Sequence, residues 1–304
     1  MLASQPQGGS PPCPGPDPQP HGPRSFQVPL GAVDTHAHVI GLPPDYPLVD
    51  GRSYTPPAAT PEAYLHMLDA TSMSHGVLVQ ISVHGADNRY MLQTLKAQPE
   101  RLRGIAVMPL GLPEREYEEA RSAGIVGLRL NVLYGGGIGF DTLEDYGALA
   151  KEMGWHLQFL VDTRDLPHMA PRIGRLPVSF VVDHMGHFQT AHVAPDDAAF
   201  QTLVSLVRDG GWVKLSGAYR LSGNEPPYAD TVAYAQRLIE AAPDRCVWGS
   251  DWPRVAHWRT MPNVGSLLDT LALWAPNERQ RQDILVSNPA RLYRFDALRF
   301  GKRG

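Results

Sequence analysis

The sequence predicts an α/β protein built on a parallel sheet, on two observations. Eight short apolar runs alternate with segments of helical period. Several runs, such as Val77-Leu78-Val79, are continuously apolar, as strands covered on both faces require. The predicted strands span residues 32–37, 76–82, 102–108, 125–131, 155–161, 178–183, 212–216 and 245–249. Between them, Phe200, Leu203, Val204 and Val207 follow the i, i+3, i+4, i+7 spacing of an amphipathic helix. Val264, Leu267, Leu268 and Leu271 do the same, and Tyr228, Val232, Ala235 and Ile239 continue the pattern. Thr60 before Pro61 reads as a cap plus a first-turn proline, and Asp141 and Asp196 stand where a side chain could accept from free helix amides. Eight such units suit a closed (β/α)8 barrel. An open doubly wound sheet shares most of these signals, and periodicity does not separate the two.

Composition narrows the function. A chain of 304 residues, 43% hydrophobic with no long apolar stretch, can build a full core as a soluble globular protein. A formal net charge of −4 offers no footprint for nucleic acid or an anionic membrane, which leaves small-molecule chemistry. Two cysteines, Cys13 and Cys246, make neither a disulfide framework nor a cysteine metal site, and suggest a reducing cytoplasm. Residues 1–25, rich in Pro, Gly, Gln and Ser, read as a disordered leader, and residues 26–304 as one catalytic domain. Homo-oligomerisation stays open.

The chemistry collects at predicted strand ends. His36 and His38, in Val33-Asp34-Thr35-His36-Ala37-His38, are two apart and share a face of a strand. Such a pair can hold a metal or polarise a carbonyl, and a hydrogen-bonded pair in the core is the plain alternative. Ser82, Arg129, Asn131, Asp183, His184, Lys214, Ser216, Ser250 and Asp251 also stand at strand ends, where a parallel barrel gathers its reactive groups. Each has a structural alternative: His184 as a helix cap, Asp251 bonded to turn amides, Arg129 and Lys214 as paired barrel charges. The run Tyr134-Gly135-Gly136-Gly137-Ile138-Gly139 lacks the lysine and serine of a P-loop and the dinucleotide spacing, and reads as a mobile loop over a pocket.

Taken in order, the motifs resemble the amidohydrolase superfamily, in its 2-pyrone-4,6-dicarboxylate lactonase-like branch. They are Val-Asp-Thr-His-Ala-His, residues 80–88 (Gln-Ile-Ser-Val-His-Gly-Ala-Asp-Asn), Gly127-Leu-Arg-Leu-Asn131, Val182-Asp-His-Met-Gly186, residues 213–220, Trp248-Gly-Ser-Asp-Trp-Pro253 and Asn288-Pro-Ala-Arg-Leu-Tyr293. The resemblance implies a single-domain (β/α)8 TIM barrel and a hydrolase that opens a lactone. It implies Asp251 as the base activating water, with His36, His38 and His184 around the scissile carbonyl. It places Tyr54, Ser82, Arg129 and Arg220 on an anionic ring substrate, Tyr54 being equally readable as an aromatic packed under the rim. Departures, namely the glycine run, His187 after the Asp-His-Met-Gly motif and Val255 after Asp-Trp-Pro, point to a lactone with one carboxylate or a sugar-acid lactone.

Metal-using members of the superfamily take one ligand from strand five, whose only histidine here, His156, is expected at the wrong end, as a structural residue. The expectation is hydrolysis without a cofactor. Were one divalent ion used, zinc or manganese, His36, His38, His184 and Asp251 would hold it. The alternatives are a metal-dependent amidohydrolase or decarboxylase, a sugar-acid lactone isomerase, and a barrel that binds a small acid without turning it over. His21, His66, His75, His168, His192 and His257 read as surface, cap or packing residues, and His84 and His187 stay open.

Overall fold

A computed structural model describes residues 11–295, and in it eight parallel strands pair strictly in chain order. They are β1 (Val33–Ala37), β2 (His75–Val79), β3 (Leu102–Ala106), β4 (Ile125–Asn131), β5 (His156–Leu160), β6 (Phe180–Val182), β7 (Trp212–Leu215) and β8 (Cys246–Trp248). The helices α1 (Pro61–Ala70), α2 (Arg89–Ala97), α3 (Glu114–Ser122), α4 (Leu143–Met153), α5 (Leu166–Ile173) and α6 (Ala198–Arg208) connect successive strands up to β7. A short α7 (Ala218–Leu221) and α8 (Val232–Ala241) link β7 to β8, and α9 (Val264–Trp274), α10 (Glu278–Gln282) and α11 (Asn288–Tyr293) end the described chain. Closure comes just past β8, where Ala37 pairs with Trp252 in parallel and Thr35 Oγ1 donates to Trp248 O at 2.8 Å. The barrel, and not the open sheet, is the fold.

Local signals explain most elements. Thr60 Oγ1 accepts from Ala63 N and Pro61 opens α1, as the sequence suggests. Asp197, not Asp196, caps α6 by accepting from Ala199 N, and α4 starts after Thr142 with no side-chain cap from Asp141. Val264, Leu267, Leu268 and Leu271 are all buried on α9. Tyr228 lies outside α8, at a left-handed φ of +56°. Most strands are shorter than their apolar runs, because residues such as Ser82 and Asp183 leave the ladder and enter 3-10 turns that face the mouth.

Inside the barrel, Val33, Val77, Val79, Ile105, Val126, Val181 and Val247 form one apolar cluster with Tyr293 and Phe295. The Phe295 ring lies tilted against His75 and the Tyr293 ring edge-on to His156, ring centroids 4.7 and 5.4 Å apart, so the end of α11 and the residues just after it plug the N-terminal end of the barrel. His156 is therefore a floor residue, as expected.

The leader is a correction. Residues 1–10 lie outside the described residues, as do 296–304, but residues 11–25 are laid against the barrel mouth and α9. Pro12 pairs with Thr55, Trp258 Nε1 donates to Pro12 O at 2.9 Å, and Ala256 N donates to the buried Cys13 Sγ at 3.2 Å. Asn263 Nδ2 donates to Asp17, and Asp269 accepts from Arg24 N, Ser25 N and Ser25 Oγ. Composition misleads here because proline and glycine do not prevent a strap from being ordered by partners distant in sequence. Deleting residues 1–25 is expected to lower the thermal midpoint by on the order of 5 °C in a melting assay, since several half-buried and exposed bonds and the packing of buried Cys13 go with them.

Candidate active site

The site begins with a carboxylate that fastens β8 to β1. Asp34 Oδ1 accepts from Ser250 N at 2.7 Å, and Oδ2 accepts from Ser250 Oγ at 2.6 Å and Tyr64 OH at 3.1 Å. This seam aligns Asp251 N with His36 O and His38 N with Trp252 O, each at 2.8 Å. Burial pushes the Asp34 carboxyl up to about 6, against the pull of its donors. Gly76 makes room for the arrangement, because a Cβ there would strike the Tyr64 ring.

Held by that seam, Asp251 meets three imidazoles. Its Oδ1 lies 3.8 Å from His36 Nε2 and 3.7 Å from His38 Nε2, and its Oδ2 lies 3.8 Å from His184 Nε2. His184 and Asp251 have φ of +50° and +56°, left-handed values that non-glycine residues adopt at a cost and that concentrate at functional sites. Burial pushes all three imidazoles below their ordinary value, His36 to about 3, so they are neutral at pH 7. Burial raises the Asp251 carboxyl, but the Arg220 guanidinium outweighs it and the group is held well below the usual carboxylate range.

Neutral rings have tautomers, and their partners assign them. His38 Nδ1 lies 2.7 Å from Val79 O, a pure acceptor, so Nδ1 carries the proton and Nε2 turns a lone pair to the site. His184 Nδ1 faces Ser216 Oγ at 2.8 Å, a hydroxyl that suits either tautomer. His36 Nδ1 sits between Lys214 Nζ at 3.2 Å and Asp183 Oδ1 at 3.3 Å, while its Nε2 is buried with no hydrogen-bond partner among the described residues.

Beneath the rings lies a buried charge layer. Lys214 Nζ donates to Thr35 O and Gln158 Oε1, both at 2.8 Å, and stands 3.4 Å from Asp183 Oδ1. Gln158 Nε2 donates to Asp183 Oδ2, and Arg129 Nη2 lies 3.6 Å from that oxygen. Arg129 and Lys214 are thus joined through Asp183 and not to each other. Burial lowers the Lys214 ammonium to about 8 against the pull of Asp183. Burial raises Asp183, but Lys214, His36 and Arg129 bring it well below its ordinary value.

The pocket over these groups is a narrow, partly open cavity of about 20 Å³, lined by His38, Tyr54, Ser82, Arg129, His184, Arg220 and Asp251 among others. Tyr54, Tyr134, His187 and Val255 also border it, so the proposed ring-holding set does surround one space. Arg129 Nη1 donates to Gln80 O, and its Nε has no partner among the described residues. Arg220 is engaged with the protein: Nε donates to Asp251 Oδ2 at 2.6 Å and Nη2 to Val255 O at 2.9 Å. Ser82 Oγ accepts from Asn131. Tyr54 is 2% exposed, edge-on to Tyr134.

Outside that cavity, a vestibule of about 380 Å³ opens past Tyr134, His187, His257, Trp258 and Arg259. His84 is structural, its Nε2 bonded to Gly41 O, whereas His187 reaches both spaces. Two residues of the site escaped sequence reasoning, Asp34 and Tyr219. Tyr219 OH donates to Asp251 Oδ2 at 2.5 Å, a contact for which one sequence holds no local signal.

Against this geometry, the family model described as amidohydrolase matches residues 33–295. The chain belongs to the amidohydrolase family. Among its relatives, a 4-sulfomuconolactone hydrolase from Rhizobium radiobacter is 35% identical over 293 residues, covering 94% of this chain and 97% of the relative. A 2-pyrone-4,6-dicarboxylate hydrolase from Comamonas testosteroni is 34% identical over 282 residues, covering 88% and 92%. An apo crystal structure from Agrobacterium tumefaciens is similar with a TM-score of 0.82 at 29% identity, over 90% of this chain and 99% of that one.

In this amidohydrolase the donors also fit a divalent ion. Ligand atoms of His36, His184 and Asp251 lie within 4.8 Å of one another, His36 Nε2 is an orphaned buried nitrogen, and His38 offers a lone pair 3.7 Å from Asp251 Oδ1.

Because the imidazoles are lowered they have lost their protons well before the ordinary histidine value of about 6.5, and the lowered Asp251 is ionised below the ordinary value of about 3.9. The imidazoles and Asp251 are therefore expected to add no inflection to kcat/KM at about pH 6.5 in a buffered continuous assay. An acid-side fall at about pH 6 is expected from Asp34, whose carboxyl is raised to about 6 and whose charged form holds the seam. Gly136 has φ +91°, and a Cβ there would collide with Ser82 O. Gly136→Ala is expected to displace the loop from the cavity and lower kcat/KM by about tenfold, measured against unchanged melting.

Proposed function

We propose that this chain hydrolyses a lactone bearing an acid group, with Asp251 as the base that activates water. The observation that carries the reading is the convergence of three neutral imidazoles on one ionised carboxylate, Asp251, at the edge of a small cavity that Arg129 also lines. Support comes also from two relatives named as lactone hydrolases, which align over nearly their whole length.

Hydrolysis needs two things held at once: a water with its protons directed at acceptors, and a carbonyl oxygen facing donors. Asp251 Oδ1 and the His38 Nε2 lone pair are acceptors 3.7 Å apart, a span that one water can bridge. His36 supplies a donor at Nε2 when Lys214 donates its third proton to Nδ1, and His184 does so when Ser216 donates to its Nδ1. Water oxygen then bonds to the carbonyl carbon as its proton passes to Asp251. The developing negative charge on oxygen is met by imidazole N–H groups in a site with little water. Collapse breaks the ring C–O bond, and the proton on Asp251 passes to the departing oxygen, leaving a hydroxy acid and the starting enzyme.

Charge complementarity sets the substrate class. Arg129 lines the cavity and keeps an unsatisfied buried Nε–H, a guanidinium suited to a carboxylate or sulfonate on the ring, with Tyr54 and Ser82 in the same wall. We read Arg220 chiefly as the counter-charge of Asp251. The cavity and the vestibule share Tyr134, His187 and Arg220 in their walls, so a lactone entering from the vestibule passes these side chains. Two free, buried cysteines suit a cytoplasmic setting, and no helix among the described residues is long and apolar enough to cross a membrane.

We propose the reaction as metal-independent, since Arg220 already neutralises Asp251 and the β5 residue that reaches the charge layer beneath the imidazoles is Gln158, with His156 down at the floor. Should His36, His38, His184 and Asp251 bind zinc or manganese, the ion would supply Lewis acidity at the carbonyl.

The test is a panel containing 2-pyrone-4,6-dicarboxylate, 4-sulfomuconolactone, monocarboxylated lactones and sugar-acid lactones, scored for acid release with product identification. Ring-opened acid is expected, and an isomeric lactone would instead make the chain an isomerase. Asp251→Asn is expected to lower kcat by on the order of a hundred- to ten-thousandfold, and near-normal turnover would remove the proposed base. Turnover is expected to survive chelation with no bound metal by elemental analysis. Loss restored by zinc or manganese would overturn the metal-independent reading.

A further inference from the structure

We infer that Tyr219 is a positioning residue for the reaction, which together with Arg220 clamps Asp251 Oδ2 and so leaves Oδ1 as the oxygen that receives the proton of water. The inference rests on the lactone reading above and adds a residue to it. A free carboxylate has two equivalent oxygens and rotates about its last bond, so only half of its encounters with water are oriented for proton transfer from a fixed site. In Asp251 the equivalence is broken. Oδ2 accepts from Tyr219 OH at 2.5 Å and from Arg220 Nε at 2.6 Å, whereas Oδ1 faces only the ring nitrogens of His36 and His38, at 3.8 and 3.7 Å. Two donors on one oxygen fix the rotation and leave the other oxygen with room for a water.

The fold places this clamp deliberately. Gly217 bends the chain after β7 at φ +71°, against the His184 ring, and the single turn of α7 then presents Tyr219 and Arg220 side by side to Asp251. His257, from the loop after β8, packs edge-on against the Tyr219 ring at 4.7 Å and limits its movement. Tyr219 is 4% exposed, and burial raises its phenol well above the ordinary range, so it serves as a donor only. Tyr219 lines the vestibule, but its hydroxyl is spent on Asp251 Oδ2, which makes it a holder of the base.

Tyr219→Phe keeps the ring packed against His257 and removes only the donor. On the lactone of the panel that turns over fastest, this variant is expected to lose about ten- to a hundredfold in kcat while KM stays within about twofold. Tyr219→Phe in an Asp251→Asn background is expected to be no slower than Asp251→Asn alone, because the clamp acts through that carboxylate. Wild-type kcat in Tyr219→Phe, an equal change carried in KM, or a further loss in the double variant would each overturn the clamp. If Asp251→Asn is slow while Tyr219→Phe is normal, only this inference falls. If Asp251→Asn is itself normal, the lactone mechanism falls and the clamp with it.

Discussion

The barrel closes on a carboxylate. Asp34, completely buried in β1, accepts three bonds that tie the segment after β8 to β1 and hold Tyr64 of α1 on the same side. An eight-stranded barrel needs its first and last strands to find each other, and here β8 is only three residues long, so backbone pairing by itself gives a weak seam. The side-chain bonds to Ser250 strengthen it. Because His36, His38 and Asp251 flank that seam, what closes the fold also sets the distances within the site.

A second constraint is the buried charge layer. Asp183, Lys214 and Arg129 bring one negative and two positive groups into the barrel interior, where an unpaired ion would cost several kcal/mol. Gln158 and the backbone oxygen of Thr35 complete their hydrogen bonding. This layer separates the valine cluster and its Tyr293 plug from the imidazoles, and it touches His36 directly. Stability chemistry thus occupies the lower barrel and reactive chemistry the rim, and His36 is where the two meet.

The outer parts show the same economy of contact. The strap of residues 11–25 joins the loop bearing Tyr54 to the loop after β8, and both loops contribute side chains to the cavity wall. Tyr134, His187, Ile81 and Leu160 are among the residues that supply the rest of the wall. Arg220 sits between all of these and Asp251, so a guanidinium that suits substrate by chemistry is committed largely to holding the base. A family motif names the residue type at such a position, but the hydrogen bonds decide what that residue does.

Much of this was legible in the linear chain. The eight runs marked the strands, because burial on both faces demands continuous apolar sequence, and the family motifs selected the closed barrel that periodicity could not. His36, His38, His184 and Asp251 were found from their places at strand ends, and His156 was assigned to the floor from its position at the start of β5. What tertiary structure alone decided depends on contacts between distant residues. Composition suggested a disordered leader, yet Cys13, Pro12 and Asp17 are ordered by partners more than two hundred residues away in the case of Ala256, Trp258 and Asn263. Nothing near Asp34 or Tyr219 in sequence announces a carboxylate that seals a barrel or a phenol that grips a base. Hydrogen bonds are directional and short, so their partners become visible only once the fold has brought them together.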